Sequence, residues 1–320
     1  MSSERPFFSS DAFLDAFREW YFPDARTAFV TCEGVTARGL LRRGRAVGGL
    51  WNVRTFFEPE DAPAGTTVIR VPFLPDIVRQ TTAIDAPAVP ELRPAPFIRW
   101  PEFTSWEDYR AFAEGRAAGA SFRSLAKRER ELAAALGPVR FTLADHDESL
   151  FDQIFDWKGR QLAARKEQNR FSVPKNQEFF KELQRRGLLF AASLRAGEAL
   201  VAGSIWGFVA GRRSGYLPAY LPEAADFSPG SILQLRLLRQ SFEAGDQEYD
   251  FMHGTQGYKL AYATHVRWLG TLGREPATDR LRRTARMSAG EFLRQRPSLQ
   301  RRTRQSEEVL AKLARRATRR

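Results

Sequence analysis

From Val139 onward the apolar residues change period repeatedly along the chain, and this alternation confines the fold to a mixed sheet covered by helices. Val139–Leu143 reads as a short strand, and 147–166 as a helix whose apolar stripe is Leu150, Ile154, Trp157 and Leu162. A second helix spans 176–186 and stops at Gly187. Residues 188–194 and 199–209 form a hairpin around Arg195-Ala196-Gly197-Glu198, and 214–221 supplies the next strand. A Leu-rich helix over 228–245, a strand at 248–252, a short helix at 257–264 and a strand at 266–272 complete the order β-α-α-β-β-β-α-β-α-β.

The stretch before Val139 is less regular. Residues 10–21 read as an amphipathic helix capped by Ser10, with Phe13, Leu14, Phe17 and Trp20-Tyr21 on one face. Short strands are expected at 27–32, 37–41 and 47–51. Nine prolines between 58 and 101 point to irregular chain, with one strand at 67–71. Ser105 and Asp108 make a capping box for a helix that weakens at Gly115 and Gly119, resumes at Phe122 and ends at Gly137-Pro138.

Charge and cysteine content exclude several classes. One cysteine, Cys32, precludes an internal disulfide framework or a Cys-based zinc site, and three scattered histidines do not make a metal centre, so no metal is expected. No signal-like segment opens the chain and no apolar run approaches membrane-spanning length, which makes the cytoplasm the expected location. The net charge of +12 is concentrated in 276–320, where thirteen arginines and one lysine face four acids. That tail suits anionic lipid or nucleic acid, or is simply a solvated, partly helical appendage; the body is nearly neutral.

Two motifs carry chemistry. In Ser228-Pro229-Gly230-Ser231, Ser228 suits an N-cap and Pro229 the first helical position, so the positive end of the helix dipole would face a ligand such as a pyrophosphate. An ordinary helix start has the same pattern. In the second, the strand Tyr249-Asp250-Phe251-Met252 runs into His253-Gly254-Thr255-Gln256-Gly257-Tyr258-Lys259. Asp250, His253, Tyr258 and Lys259 supply an acid, a base, a phenol and a cation within ten residues. Asp250 also fits the role of a hydrogen-bonded carboxylate that fixes the following loop, Lys259 a surface lysine, and His265 a solvent-facing residue ahead of the last strand.

The element order, Tyr216–Tyr220, the Ser-Pro-Gly helix start, the Asp250 strand and Gly254-x-x-x-Tyr258-Lys259 together resemble the CelD/BcsL-like GNAT acyltransferases, cousins of the Fem-type peptidyltransferases. The resemblance implies an α/β GNAT-type mixed sheet with flanking helices, with two GNAT-like halves in tandem. It divides the chain into a degenerate half at 1–101, a helical connection at 102–138, a GNAT domain at 139–275 and the basic tail at 276–320.

It further implies two splayed parallel strands, 214–221 and 248–252, that hold the pantetheine arm of an acyl-CoA co-substrate, with Tyr220 and Ser228–Ser231 at its pyrophosphate. His253 would act as base, or a water relay from Asp250 would serve in its place. Tyr258 would protonate the leaving thiolate or pack against the acceptor, and Lys259 would hold an acidic group of donor or acceptor. The acceptor would be an amino sugar or another polar amine, in polysaccharide or cell-envelope synthesis. An aminoacyl-tRNA-dependent Fem-type transfer, and a non-catalytic binder using its tail, are the competing readings.

Overall fold

A computed structural model describes residues 7–32, 35–42, 45–47, 55–57, 69–70, 93–115, 121–147, 149–165, 167, 169–252, 254 and 256–270. The chain divides into a unit of residues 1–272 and a second of 273–320. The basic tail, His253 and most of the proline-rich stretch lie outside the described residues.

The helices are α1 (Asp11–Tyr21), α2 (Trp106–Glu114), α3 (Phe122–Leu136), α4 (Ser149–Ala164), α5 (Pro174–Arg185), α6 (Pro229–Glu243) and α7 (Gly257–Tyr262). Their ends follow local chemistry. The Ser10 hydroxyl accepts from the Phe13 amide and caps α1, and Ser105 does the same for α2 through the Asp108 amide. The Asp108 carboxylate reaches back as the capping box expects, accepting from the Ser105 backbone amide, and it also accepts from the Thr104 hydroxyl. Gly137, at φ 103°, closes α3.

Strands β1 (Arg26–Cys32), β2 (Val35–Arg42) and β3 (Arg45–Val47) form a small antiparallel sheet. The main sheet contains β4 (Thr55–Phe57), β5 (Ile69–Arg70), β6 (Arg93–Arg99), β7 (Val139–Thr142), β8 (Leu189–Ala196), β9 (Ala199–Val209), β10 (Arg212–Tyr220), β11 (Glu248–Asp250) and β12 (His265–Gly270). Its order is β4-β12-β6-β11-β10-β9-β8-β7, with β5 also against β12. Among the described strands of this sheet only β10 and β11 run parallel; the other pairs are antiparallel.

Pleating sends alternate residues into two cores. On β8, Leu189 and Ala191 enter a core built with Phe13 and Phe17 of α1, Ile154 and Trp157 of α4 and Phe179 of α5. Ala192, Leu194 and Ala196 enter the opposite core, with Tyr109 of α2, Leu132 of α3, Leu233 and Leu237 of α6, and Tyr262 of α7. The sheet is therefore covered on both faces.

Strand β6 departs from the expectation of irregular chain before Pro101. It lies between β11 and β12 although it contains Pro94 and Pro96. The Pro96 carbonyl accepts from the Phe251 amide, so the missing proline N–H faces the β11 side. The β11 ladder pairs only with Phe97, Ile98 and Arg99, so no donor is required of Pro96 there.

Candidate active site

The parallel register of β10 and β11 joins Arg212 to Glu248, Arg213 to Tyr249 and Ser214 to Asp250, and then ends. Strand β10 continues to Tyr220 with β9 as its strand partner. A bulge at Tyr216 bends it: Gly215 pairs with Trp206 and Leu217 with Ile205, which leaves Tyr216 unopposed. The parallel ladder thus ends at Ser214 and Asp250, and β10 runs on beyond it without β11.

Two residues hold the fork. A Cβ on Gly215 would stand 2.5 Å from the Tyr249 hydroxyl, so the glycine makes room for that phenol. Tyr249 is fully buried, accepts from Gln234 Nε2 of α6 at 3.0 Å, and has its phenol pKa pushed up by burial. Beyond it, Asp250 is buried and its Oδ1 accepts from the Met252 amide at 2.7 Å. Met252 has φ 59°, a left-handed conformation that turns the chain off the strand. The carboxylate therefore fixes the following loop.

The start of α6 differs from the expected cap. Pro229 opens the helix, but Ser228 is itself left-handed (φ 55°, ψ 45°) and its side chain makes no cap bond. It closes the 3-10 turn Pro222–Phe227 in this left-handed conformation, which differs from the extended one that a side-chain N-cap takes. The Ser228 carbonyl accepts from the Ser231 and Ile232 amides, leaving the Gly230 N–H as the open donor of the first turn. A Cβ on Gly230 would meet Tyr220 Cδ1 at 3.0 Å, so the tyrosine ring lies across the helix mouth. Tyr220, Ser228, Gly230 and Ser231 are thus gathered at one place, with a narrower set of donors than a glycine-rich loop offers.

Lys259 is buried, contrary to the surface reading. Burial pulls its pKa down to about 8, Asp250 opposes that shift, and the charge of Lys158 adds to it. Tyr258 is 40% exposed as a residue, yet desolvation pushes its phenol up to about 12, with Arg165 acting in the opposite direction. Asp250 and Lys259 therefore lie within electrostatic reach of each other, with Tyr258 beside them at the rim. His265 does not face solvent: it is buried, with Nδ1 2.8 Å from Thr264 Oγ1 and Nε2 3.2 Å from Glu102.

Lys158 of α4 escaped the reading of the sequence. Its Nζ donates to the Pro218 carbonyl at 3.2 Å, on the part of β10 that has left β11, and Gln161 Nε2 donates to the Tyr220 carbonyl at 3.4 Å. The signal was present, since Lys158 falls four residues after Ile154 on an otherwise apolar stripe.

Among the described residues no group of His, Cys, Asp and Glu could hold a metal, and no helix is long and apolar enough to cross a membrane. No curated protein matches the sequence. FemX resembles the chain at 11% identity and TM-score 0.49, over 85% of this chain and 92% of that one. A conserved protein of unknown function from Bacteroides thetaiotaomicron aligns at 12% identity and TM-score 0.47, over 85% and 93%. A GCN5-related N-acetyltransferase from Kribbella flavida aligns at 12% identity and TM-score 0.36, over 83% and 97%. Residues 120–260 match the family described as acetyltransferase (GNAT) domain, a span that contains the bulge, the fork and the α6 start. Residues 120–260 thus match a GNAT-type domain, and the chain is accordingly an acyltransferase.

Proposed function

We propose that the chain moves an acyl group from acyl-CoA to the amine of a small polar acceptor, an amino sugar or a related amine. The observation that carries this reading is the fork at Ser214 and Asp250, with the Tyr216 bulge on one arm. A cleft between parting strands presents backbone groups that an extended pantetheine can pair with, as a further strand would. Its outer end is the α6 start, where the Gly230 N–H and the helix dipole favour a pyrophosphate.

In this scheme the acceptor amine attacks the thioester carbonyl, and backbone N–H groups around the Tyr216 bulge stabilise the oxyanion. The C–S bond then breaks and the thiolate takes a proton. Tyr258 suits that step, because a phenol pushed up to about 12 stays protonated near neutral pH and remains a donor. His253 is the proposed base for the incoming amine. Asp250 serves by holding the turn at Met252, and Lys259 by placing a positive charge beside the reacting groups. The basic tail at 276–320 is a separate element, proposed to meet an anionic surface.

Calorimetry with acetyl-CoA and longer acyl-CoAs, followed by mass spectrometry of products from a panel of amines, tests the reading. Micromolar acyl-CoA binding with acyl transfer is the expected result. Absence of acyl-CoA binding together with salt-sensitive aminoacyl-tRNA binding would replace it with tRNA-dependent transfer.

A further inference from the structure

Beyond the Tyr216 bulge, the register of β10 fixes which backbone groups face its outer edge. The Leu221 amide donates to the Val201 carbonyl, and before it Tyr220 pairs with Ala202, Ala219 with Gly203 and Pro218 with Ser204. Antiparallel pairs alternate between bonded and non-bonded, so Leu217, Ala219 and Leu221 turn their backbone groups towards β9. Pro218 and Tyr220 turn theirs away, to the side on which β11 pairs with Arg212–Ser214 nearer the strand's start. Proline has no N–H. Between Leu217 and Leu221 this edge therefore presents the carbonyls of Pro218 and Tyr220 but only the Tyr220 N–H.

Helix α4 reaches onto the same edge. Lys158 Nζ donates to the Pro218 carbonyl at 3.2 Å, and Gln161 Nε2 donates to the Tyr220 carbonyl at 3.4 Å. A spacing of three on the helix sets the two side chains next to each other, and a spacing of two on the strand sets the carbonyls on one edge. The bond to Pro218 uses one N–H of an ammonium that carries three, and each carbonyl keeps a second lone pair. Lys158, Gln161, Pro218 and Tyr220 are all partly exposed, within reach of a ligand.

We infer that Lys158 binds the acyl donor: its ammonium gives an amide carbonyl of the pantetheine arm the hydrogen bond that Pro218, lacking an N–H, cannot. The assignment rests on the acyl-CoA reading and deepens it. An extended amide chain lying along a strand edge needs donors for its carbonyls as well as acceptors for its N–H groups. The Tyr220 N–H serves one carbonyl; at Pro218 another would go without a partner unless Lys158 supplies it. The edge runs from the Tyr216 bulge to Tyr220, whose ring lies across the start of α6. Lys158 thus stands between the thioester end of the arm and its pyrophosphate end. The rival account is edge protection, since lysine and proline both discourage a further strand, and it requires no effect on donor binding.

Calorimetry of acetyl-CoA binding to the full chain and its variants tests this. Lys158→Met should weaken binding by about tenfold, the loss expected for a hydrogen bond from a charged group. Pro218→Ala, added to Lys158→Met, restores a backbone N–H on the same edge and should recover a large part of that loss. Lys158→Arg keeps a charged donor and should bind close to wild type. Lys158→Gln, with and without Pro218→Ala, is read in the same way should Lys158→Met fail to fold.

Wild-type affinity in Lys158→Met overturns the assignment in favour of edge protection. A loss that Pro218→Ala does not relieve overturns it too, leaving Lys158 a brace for β10. Absence of acetyl-CoA binding in the wild type would remove the acyl-CoA reading and this assignment with it. Wild-type binding that ignores Lys158 would remove the assignment alone.

Discussion

The Asp250 carboxylate and the Met252 amide, 2.7 Å apart, close the turn by which the chain leaves β11 where β10 diverges. Asp250 is buried, and Met252 sits in a left-handed conformation that the bond offsets. Asp250→Ala leaves that amide without its acceptor and should lower stability by about 1–3 kcal/mol. Asp250→Asn keeps an acceptor oxygen and should recover part of the loss. Urea unfolding of both variants measures this, and equal stability of Ala and wild type would deny the carboxylate its role in the turn.

Ser228→Gly should be neutral or should stabilise by up to about 1 kcal/mol, because the residue is left-handed and its side chain makes no cap bond. Ser10→Ala, which removes a real cap, should cost about 1 kcal/mol. Chemical denaturation of the pair settles the contrast. A clear loss in Ser228→Gly would restore Ser228 as a side-chain cap.

Gly215→Ala places a methyl 2.5 Å from the Tyr249 hydroxyl and must displace a ring that is enclosed on all sides. The expected cost is about 2 kcal/mol, with loss of the Gln234–Tyr249 bond. Donor affinity should fall with it, since the same two residues hold the fork. A variant of wild-type stability and acyl-CoA affinity would show that the fork does not depend on this contact.

Lys259 gives the stability a pH dependence. Its folded pKa, about 8, is below the ordinary lysine value of 10.5, so between these values the unfolded chain binds more protons than the folded one. Stability contributed by this group therefore rises as pH increases from about 8 towards 10, by on the order of 2 kcal/mol. Urea midpoints from pH 7.5 to 9.5 should show the rise in the wild type and a flatter profile in Lys259→Met. Superimposable profiles would mean that Lys259 is not desolvated in solution.

Tyr258→Phe removes the proposed proton donor from a rim position, so folding should be nearly unaffected. Turnover should drop by about 10²-fold with little change in acyl-CoA affinity. Steady-state kinetics of acyl transfer decides it, and an unchanged kcat would place the thiolate's proton elsewhere.

The periodicity of the sequence determined most elements of the sheet and its covering helices, because burial on one or two faces imposes periods of two and 3.6 directly on the residues. Caps such as Ser10 and Ser105 were legible for the same reason: a hydroxyl followed three residues later by an amide is a local relationship. Tyr220, Ser228, Gly230 and Ser231 could be named together from order alone, as could Asp250, Tyr258 and Lys259.

Tertiary structure decided the rest. Pro94 and Pro96 argue locally against a strand, yet β6 is accepted within the sheet because β11 ends before it needs a donor from Pro96. The left-handed Ser228 follows from the 3-10 turn before it, and the burial of His265 from Glu102 and Phe97 packed against it. Lys158 and Lys259 are a hundred residues apart on opposite faces of the sheet. Only the fold brings the charge of one to bear on the other, and no pattern within either helix could record that.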